Sequence, residues 1–438
     1  MKTLEDIPIY REGPDDSASS KAFQEDPMHF HVRAFKEHGS IYRTWFRDRM
    51  WVTLAGLEAN DFVWKNSTLW SYGIANAPFH EEMGADHVTA LDGDEHTQKR
   101  AILKPASNRG PSMRYLPEFL ELLGKELDIE TSKDAPLELM TYWSEVIVWI
   151  AAQTYAQSDV PKSEIPGICR WEYQMLRGLF LDDQRHSYVA RQEYQDLKKR
   201  AYDRMGAIVD ERLANPGKYD DNFNDVMEAR LQRTGQIDRD CLINDLYLVW
   251  IAGSDNTANL ANWALLFTYQ HPEWLAKLRE ELDAWDSADV KATANMSCLK
   301  ATIMETNRIR PGQFVLNKYA SHDFKFAGYH LAEGTDVMHA HVLAHYMEEF
   351  YPDPFSFVPS RFIESGKFAA KTDGTFGGGT HICLGRNNAM FQSTLIVAHV
   401  LKHYDIDYLT KPSFEVRVTY NGGRLEEPIF ANLKPRKL

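Results

Sequence analysis

Cysteine is scarce in this chain. The 438 residues hold four, Cys169, Cys241, Cys298 and Cys383, far apart and with no C-x-x-C pair. That spacing excludes a disulfide framework and a zinc site. Long apolar runs are also missing, so no segment is suited to span a bilayer. A basic excess is missing too: 49 Lys and Arg stand against 63 Asp and Glu, a net charge of −14. Phosphate backbones and anionic membrane surfaces need a cationic face, so neither is an expected partner. There are no internal repeats and no low-complexity tract. The opening MKTLEDIPIYREGPDDSASS has no apolar core of a signal peptide. A reducing, cytoplasmic setting without a membrane anchor is the expectation.

What the chain does have is core material: 44% hydrophobic and 12% aromatic residues. That is enough for two or three domains or one large compact fold. Residues 1–26 are polar and read as a loosely ordered segment. Asp26-Pro27 opens a helical pattern that ends at Gly39. IYRTWFRDRMWVTLAG reads as a β-hairpin around Arg47-Asp48-Arg49. Residues 98–214 and 274–309 follow helical patterns broken near prolines. Short alternating runs at 313–342 and 404–434 read as strands, the second with a turn at Asn421-Gly422-Gly423. Between Asp238 and Tyr269 no proline interrupts, which predicts one long helix through the interior. It carries Asn244, Asp245, Asp255, Asn256, Asn259 and Asn262, so these polar groups need partners or a task.

The most informative stretch is Phe376–Ala389, FGGGTHICLGRNNA. Glycines let a backbone approach a flat cofactor and accept positive φ. Cys383 falls at a helix start, where free N–H groups and the dipole favour a thiolate. A thiolate beside a glycine surface suits a haem iron. A small buried Cys would leave Gly377, Gly379 and Gly385 unexplained. A phosphate loop is excluded because no GK[ST] follows the glycines.

The spacing F-G-x-G-x-H-x-C-x-G-x-x-x-A resembles the haem-binding loop of the cytochrome P-450 family, matched by Phe376, Gly377, Gly379, His381, Cys383, Gly385 and Ala389. The resemblance implies that Cys383 is the axial ligand of a haem b iron (iron protoporphyrin IX). Ala252-Gly253-Ser254-Asp255-Asn256-Thr257 resembles the family's oxygen-activation motif, A/G-G-x-D/E-T-T/S. That implies a helix passing over the haem at Ala252 and Gly253, with Asp255 relaying protons. Asn256 replaces the usual Thr and cannot shuttle a proton as a hydroxyl does; Thr257 matches the next position. Gly253 inside a helix costs about 1 kcal/mol relative to Ala, which close approach of a ligand would offset. Glu305, Arg308 and Arg361 match the family's E-x-x-R and P-x-R-F segments and imply a buried structural triad. His96 and Arg100 resemble its H-x-x-x-R helix start. With His381 and Lys318, they are implied haem-propionate ligands.

The resemblance implies a mainly α fold with a smaller β-rich lobe, as one domain over residues 27–438. It implies a monooxygenase that inserts one atom of dioxygen into an apolar, medium-sized substrate, with electrons from a ferredoxin or flavodoxin. Lys99, Lys104 and Arg386 are candidate contacts for that redox partner. By family position the substrate pocket is lined from Leu69–Val88, Gln174–Leu181, Tyr247–Ala252, Gly312–Leu316 and Val418–Gly423. These segments carry Trp70, Tyr72, Phe79, Phe180, Phe314 and Tyr420. Asn256 points to a substrate with an oxygen function. Two other readings stay open: a peroxide-driven haem-thiolate peroxygenase, against which Asp255 argues, and a non-enzymatic haem binder.

Overall fold

The computed structural model describes residues 2–437 except 48, 134, 180, 182, 183, 370 and 411–426. Helices dominate, and a smaller β-rich region gathers near the N-terminus. The main core forms where helix Ser254–Gln270 is packed by helices Leu139–Tyr155, Ser297–Ile309 and Arg386–His403. Helix Ser254–Gln270 is buried on nearly all sides, with Leu260, Ala261, Trp263, Ala264 and Leu265 among the apolar residues and Asn259 and Asn262 among the polar ones.

The β region is a five-stranded sheet in the order Ile9–Tyr10, Ile41–Phe46, Arg49–Ala55, Asp336–Ala340, Leu316–Tyr319. Its centre is the expected hairpin, with Ile41 opposite Leu54 and Phe46 opposite Arg49. The turn sits in a left-handed conformation at Arg47, φ 58°. Strand Asp336–Ala340 joins the hairpin in parallel, with Val337 opposite Val52. Helix Pro27–His38 ends at Gly39, φ 79°, where positive φ suits glycine. Strands Tyr404–Tyr408 and Phe430–Pro435 pair antiparallel. The turn expected at Asn421-Gly422-Gly423 lies outside the described residues.

Two expectations change. Residues 2–26 are not loose. They form strand Ile9–Tyr10 and helix Asp16–Glu25, whose N-cap Asp15 accepts a hydrogen bond from the Ala18 N–H at 2.8 Å. The reason is Phe23, fully buried with its ring 4.4 Å from that of Phe46 and 5.4 Å from that of Phe30. One aromatic anchor outweighs a polar composition.

The long helix expected over 238–269 is also broken. Helix Arg239–Trp250 stops, and helix Ser254–Gln270 starts after Gly253. The N–H groups of Ile251 and Ala252 both donate to the Tyr247 carbonyl at 2.9 Å. Gly253 takes φ 90°, a region open to glycine at no steric cost. A Cβ there would meet nothing within 4 Å. Backbone conformation, rather than crowding, explains glycine at 253.

Candidate active site

The Cys383 loop is held by its own backbone. The Cys383 N–H donates to the Phe376 carbonyl at 2.9 Å, and Arg386 donates to the Cys383 carbonyl at 3.2 Å. Gly377 and Gly379 take positive φ, 69° and 65°. The reading that the glycines serve close approach to a cofactor needs correcting for two of them. A Cβ on Gly378 would run into the Trp64 indole, and one on Gly379 would sit 2.8 Å from the Trp64 carbonyl oxygen. Their neighbour is protein. Gly385 meets nothing within 4 Å, and it precedes helix Arg386–His403. Sequence reasoning missed Trp64, because no motif links positions 64 and 378.

Cys383 keeps open surface although it lies deep among protein atoms. Burial pushes its thiol up; the N–H of Gly385 and the guanidinium groups of Arg386 and Arg100 pull it down. Burial prevails, so the thiol is held above its ordinary range. A metal cation would reverse that balance, since a coordinating thiol is deprotonated outright.

Beside this loop the structure gathers the four residues implied as propionate ligands. Arg100 donates to the Ile382 carbonyl at 2.8 Å. The His96 and His381 rings stack at 3.6 Å and 11°. Tyr72 stacks on the other face of His381 at 3.3 Å and 6°. The Lys318 ammonium lies 4.4 Å from the centre of the Tyr72 ring. Burial depresses the whole group: Lys318 to about 7, His96 to about 4 and His381 to about 3, with Arg100 also lowered. Among the described residues, no carboxylate forms an ion pair with any of the four. Asp92, whose charge acts on His96, instead accepts from the Ser71 hydroxyl and the Tyr72 and Gly73 N–H groups. Lys318 is buried with only the Asn317 carbonyl, at 3.4 Å. A buried lysine and a half-buried arginine without an anion, beside two imidazoles able to donate hydrogen bonds, fit a ligand bearing carboxylates. A haem, with two propionates and an iron for Cys383, suits this donor set.

The second motif sits at the Gly253 break. Asp255 is buried at the start of helix Ser254–Gln270. The Thr257 hydroxyl donates to the Gly253 carbonyl at 2.9 Å, and that of Ser254 to buried Glu172 at 2.7 Å. Asn256 is exposed and faces Gly312. Glu172 carried no sequence signal.

The triad forms as implied. Arg308 clasps Glu305 through two bonds of 2.8 Å, and Arg361 reaches the same carboxylate at 3.2 Å. Arg308 also donates to the carbonyls of His345 and Pro354, each at 2.6 Å.

Lys99 is not where a partner could touch it. It is buried in ion pairs with Asp86 and, at 2.7 Å, Asp245; Arg230 joins both acids at 2.6 Å. This network answers the buried Asp245 flagged in the sequence. Lys104 remains exposed and Arg386 half-buried. Trp70 also departs from its expected place: it is buried in the β region against Phe324, at 5.2 Å. Phe79 stacks on His87. Phe180, Tyr420 and the segment 418–423 lie outside the described residues.

Comparison with known proteins gives the family. The Cytochrome P450 family profile matches residues 171–420, more than half of the chain. The chain therefore belongs to the cytochrome P450 family, and it is a monooxygenase, an oxidoreductase of the haem-dependent kind. A protein named sterol 14alpha-demethylase from Mycolicibacterium vanbaalenii is 21% identical over 432 residues, covering 94% of each chain. A protein named putative cytochrome P450 135B1 from Mycobacterium tuberculosis is 24% identical, covering 82% of this chain and 78% of that one. The solved structure of retinoic acid bound cyanobacterial CYP120A1 superposes with a TM-score of 0.82 at 19% identity, over 98% of this chain and 99% of that one. At that identity the likeness shows the fold. Among the described residues, no helix is long and apolar enough to cross a membrane.

Proposed function

We propose that the chain binds haem b through the Cys383 thiolate and inserts one atom of dioxygen into an apolar, medium-sized organic substrate bearing an oxygen function. A cytoplasmic ferredoxin or flavodoxin delivers the electrons. The observation that carries this reading is the conjunction of Cys383 with Lys318, Arg100 and the stacked imidazoles of His96 and His381, none of which pairs with a carboxylate among the described residues. When bound, the haem supplies dioxygen activation, helped by electron density from its thiolate ligand.

The residues divide the remaining work. Cys383 Sγ ligates iron. Arg100, Lys318, His96 and His381 hold the propionates, with Lys318 as a point charge rather than a fork. Phe376, Gly377 and Gly385 would hold the haem beside Cys383, and Ala252 and Gly253 would flank the bound group. Asp255 holds a proton at its carboxylate beside the helix break. Thr257 steadies the break through its bond to the Gly253 carbonyl. Asn256 faces the substrate. Arg386 and exposed Lys104 offer an acidic redox partner a cationic contact on the Cys383 side. The apolar substrate class rests on the family positions of Tyr72, Phe79 and Phe314. The sterol named for the mycobacterial relative falls within this class.

Turnover with a ferredoxin, its reductase and isotopically labelled dioxygen tests the reading. The expected product carries one labelled oxygen atom. Turnover with hydrogen peroxide alone, and none with the electron donor, would replace it with the peroxygenase reading. Under the same conditions Arg386→Glu slows iron reduction more than it weakens substrate binding; equal losses would remove Arg386 from the partner surface.

A further inference from the structure

Helix Ser254–Gln270 is buried at every position from Ser254 to Thr268 except Asn256. Its carboxamide makes no hydrogen bond to any described residue. Its neighbour is Gly312: an ideal Cβ there would lie 3.0 Å from Asn256 Oδ1, 3.5 Å from Cγ and 3.9 Å from Cβ. Position 312 does not have positive φ, so backbone conformation does not demand glycine. The visible reason for glycine is the room it gives the amide. The amide nitrogen is farther from that point than these three atoms, so the N–H groups are the end turned away.

The same short segment ties this amide to the thiolate loop. Four residues after Gly312, Leu316 Cδ1 lies 3.6 Å from where a Cβ of Gly377 would be. Phe314 and Val315 between them are buried. One uncommitted polar donor therefore stands beside the segment that leads to the Cys383 loop. In an apolar ligand site a lone polar group sets orientation and selectivity.

We infer that Asn256 anchors the substrate by donating from Nδ2 to an acceptor oxygen, a ketone or ether, and that Gly312 keeps the amide in position. This rests on the monooxygenase reading and names its substrate class. Only a ligand carrying the acceptor gains from the anchor, by roughly three- to tenfold for one neutral hydrogen bond.

Equilibrium dialysis of the haem-loaded protein tests it with matched hydrocarbons and ketones of two to four rings, such as decalin with decalone and diphenylmethane with benzophenone. The native protein retains the ketone of a pair more tightly by that factor. Asn256→Leu removes the preference by weakening ketone binding relative to that of the matched hydrocarbon. Gly312→Ala displaces the amide and lowers the preference without touching Asn256, which covers any folding defect of the first variant. No ketone preference in the native protein, binding of neither member, or a preference that survives Asn256→Leu would each overturn the anchor. The carbon monoxide spectrum of the same samples is read separately: without a thiolate signature the monooxygenase reading fails, while the binding ratio still judges Asn256.

Discussion

Replacing Lys318 with Met should have opposite effects on the haem-free and haem-loaded protein. Lys318 is buried beside His96, His381 and Arg100, with no carboxylate partner among the described residues. Burial lowers its pKa from 10.5 to about 7. The folded haem-free chain therefore binds fewer protons than the unfolded chain between pH 7 and 10.5. Its stability must rise with pH across that window and lose this dependence below it. At about 1.4 kcal/mol per pKa unit, the cost at pH 7 is on the order of 4 kcal/mol. Lys318→Met removes the charge and keeps the apolar stem. The haem-free variant should unfold at higher denaturant than the native chain at pH 7, and the two should converge toward pH 10. The loaded variant should instead lose haem faster, because one propionate has lost its cation. Denaturant unfolding of the haem-free forms and haem transfer to an acceptor protein read the two effects. A variant less stable without haem, or unchanged in haem loss, would refute the reasoning.

Three further outcomes follow from the scaffold. Glu305→Gln leaves buried Arg308 and half-buried Arg361 without their anion, and a broken buried pair costs about 3–5 kcal/mol; thermal unfolding should fall accordingly, whereas an unchanged midpoint would deny the triad its role. His339, His341 and His345 are fully buried, and the charges facing them, Lys318 and Arg308, are cationic. Their folded pKa values lie below 6.5, at about 3 for His341 and His345, so stability present above pH 6.5 is lost as pH falls toward 3. The slope should approach about 1.4 kcal/mol per pH unit for each imidazole, which denaturant titrations between pH 7 and 5 would measure, and His341→Gln should flatten it. Gly378→Ala should disrupt the Cys383 loop by collision with Trp64. Pairing it with Trp64→Ala should recover part of the lost stability, and strict additivity of the two changes would show that they do not meet.

Sequence reading reached those parts of the fold that local chemistry controls. The hairpin at 41–55 shows in alternation around Arg47, and the Gly39 stop follows from a conformation that glycine favours. The Cys383 loop, the triad, His96 and Arg100 carry motif spacings, and Lys318 a family position, so they were read by resemblance. What was not legible depends on distant partners. Phe23 orders the N-terminal residues only because Phe30 and Phe46 meet it. Lys99 looked like a surface cation because Asp86, Arg230 and Asp245 are close only in the fold. Gly253 signalled a perturbed helix, yet its left-handed φ, and so the break, comes from the backbone. Trp64 explains two loop glycines from more than three hundred residues away.

The central claim is that Cys383 holds a haem iron as a thiolate. The absorption spectrum of the purified protein, reduced and exposed to carbon monoxide, tests it most directly. A strongly red-shifted Soret band that disappears in Cys383→His is the result this account predicts. An unshifted band like that of a histidine-ligated haem in the native protein, or no haem at all, would contradict it.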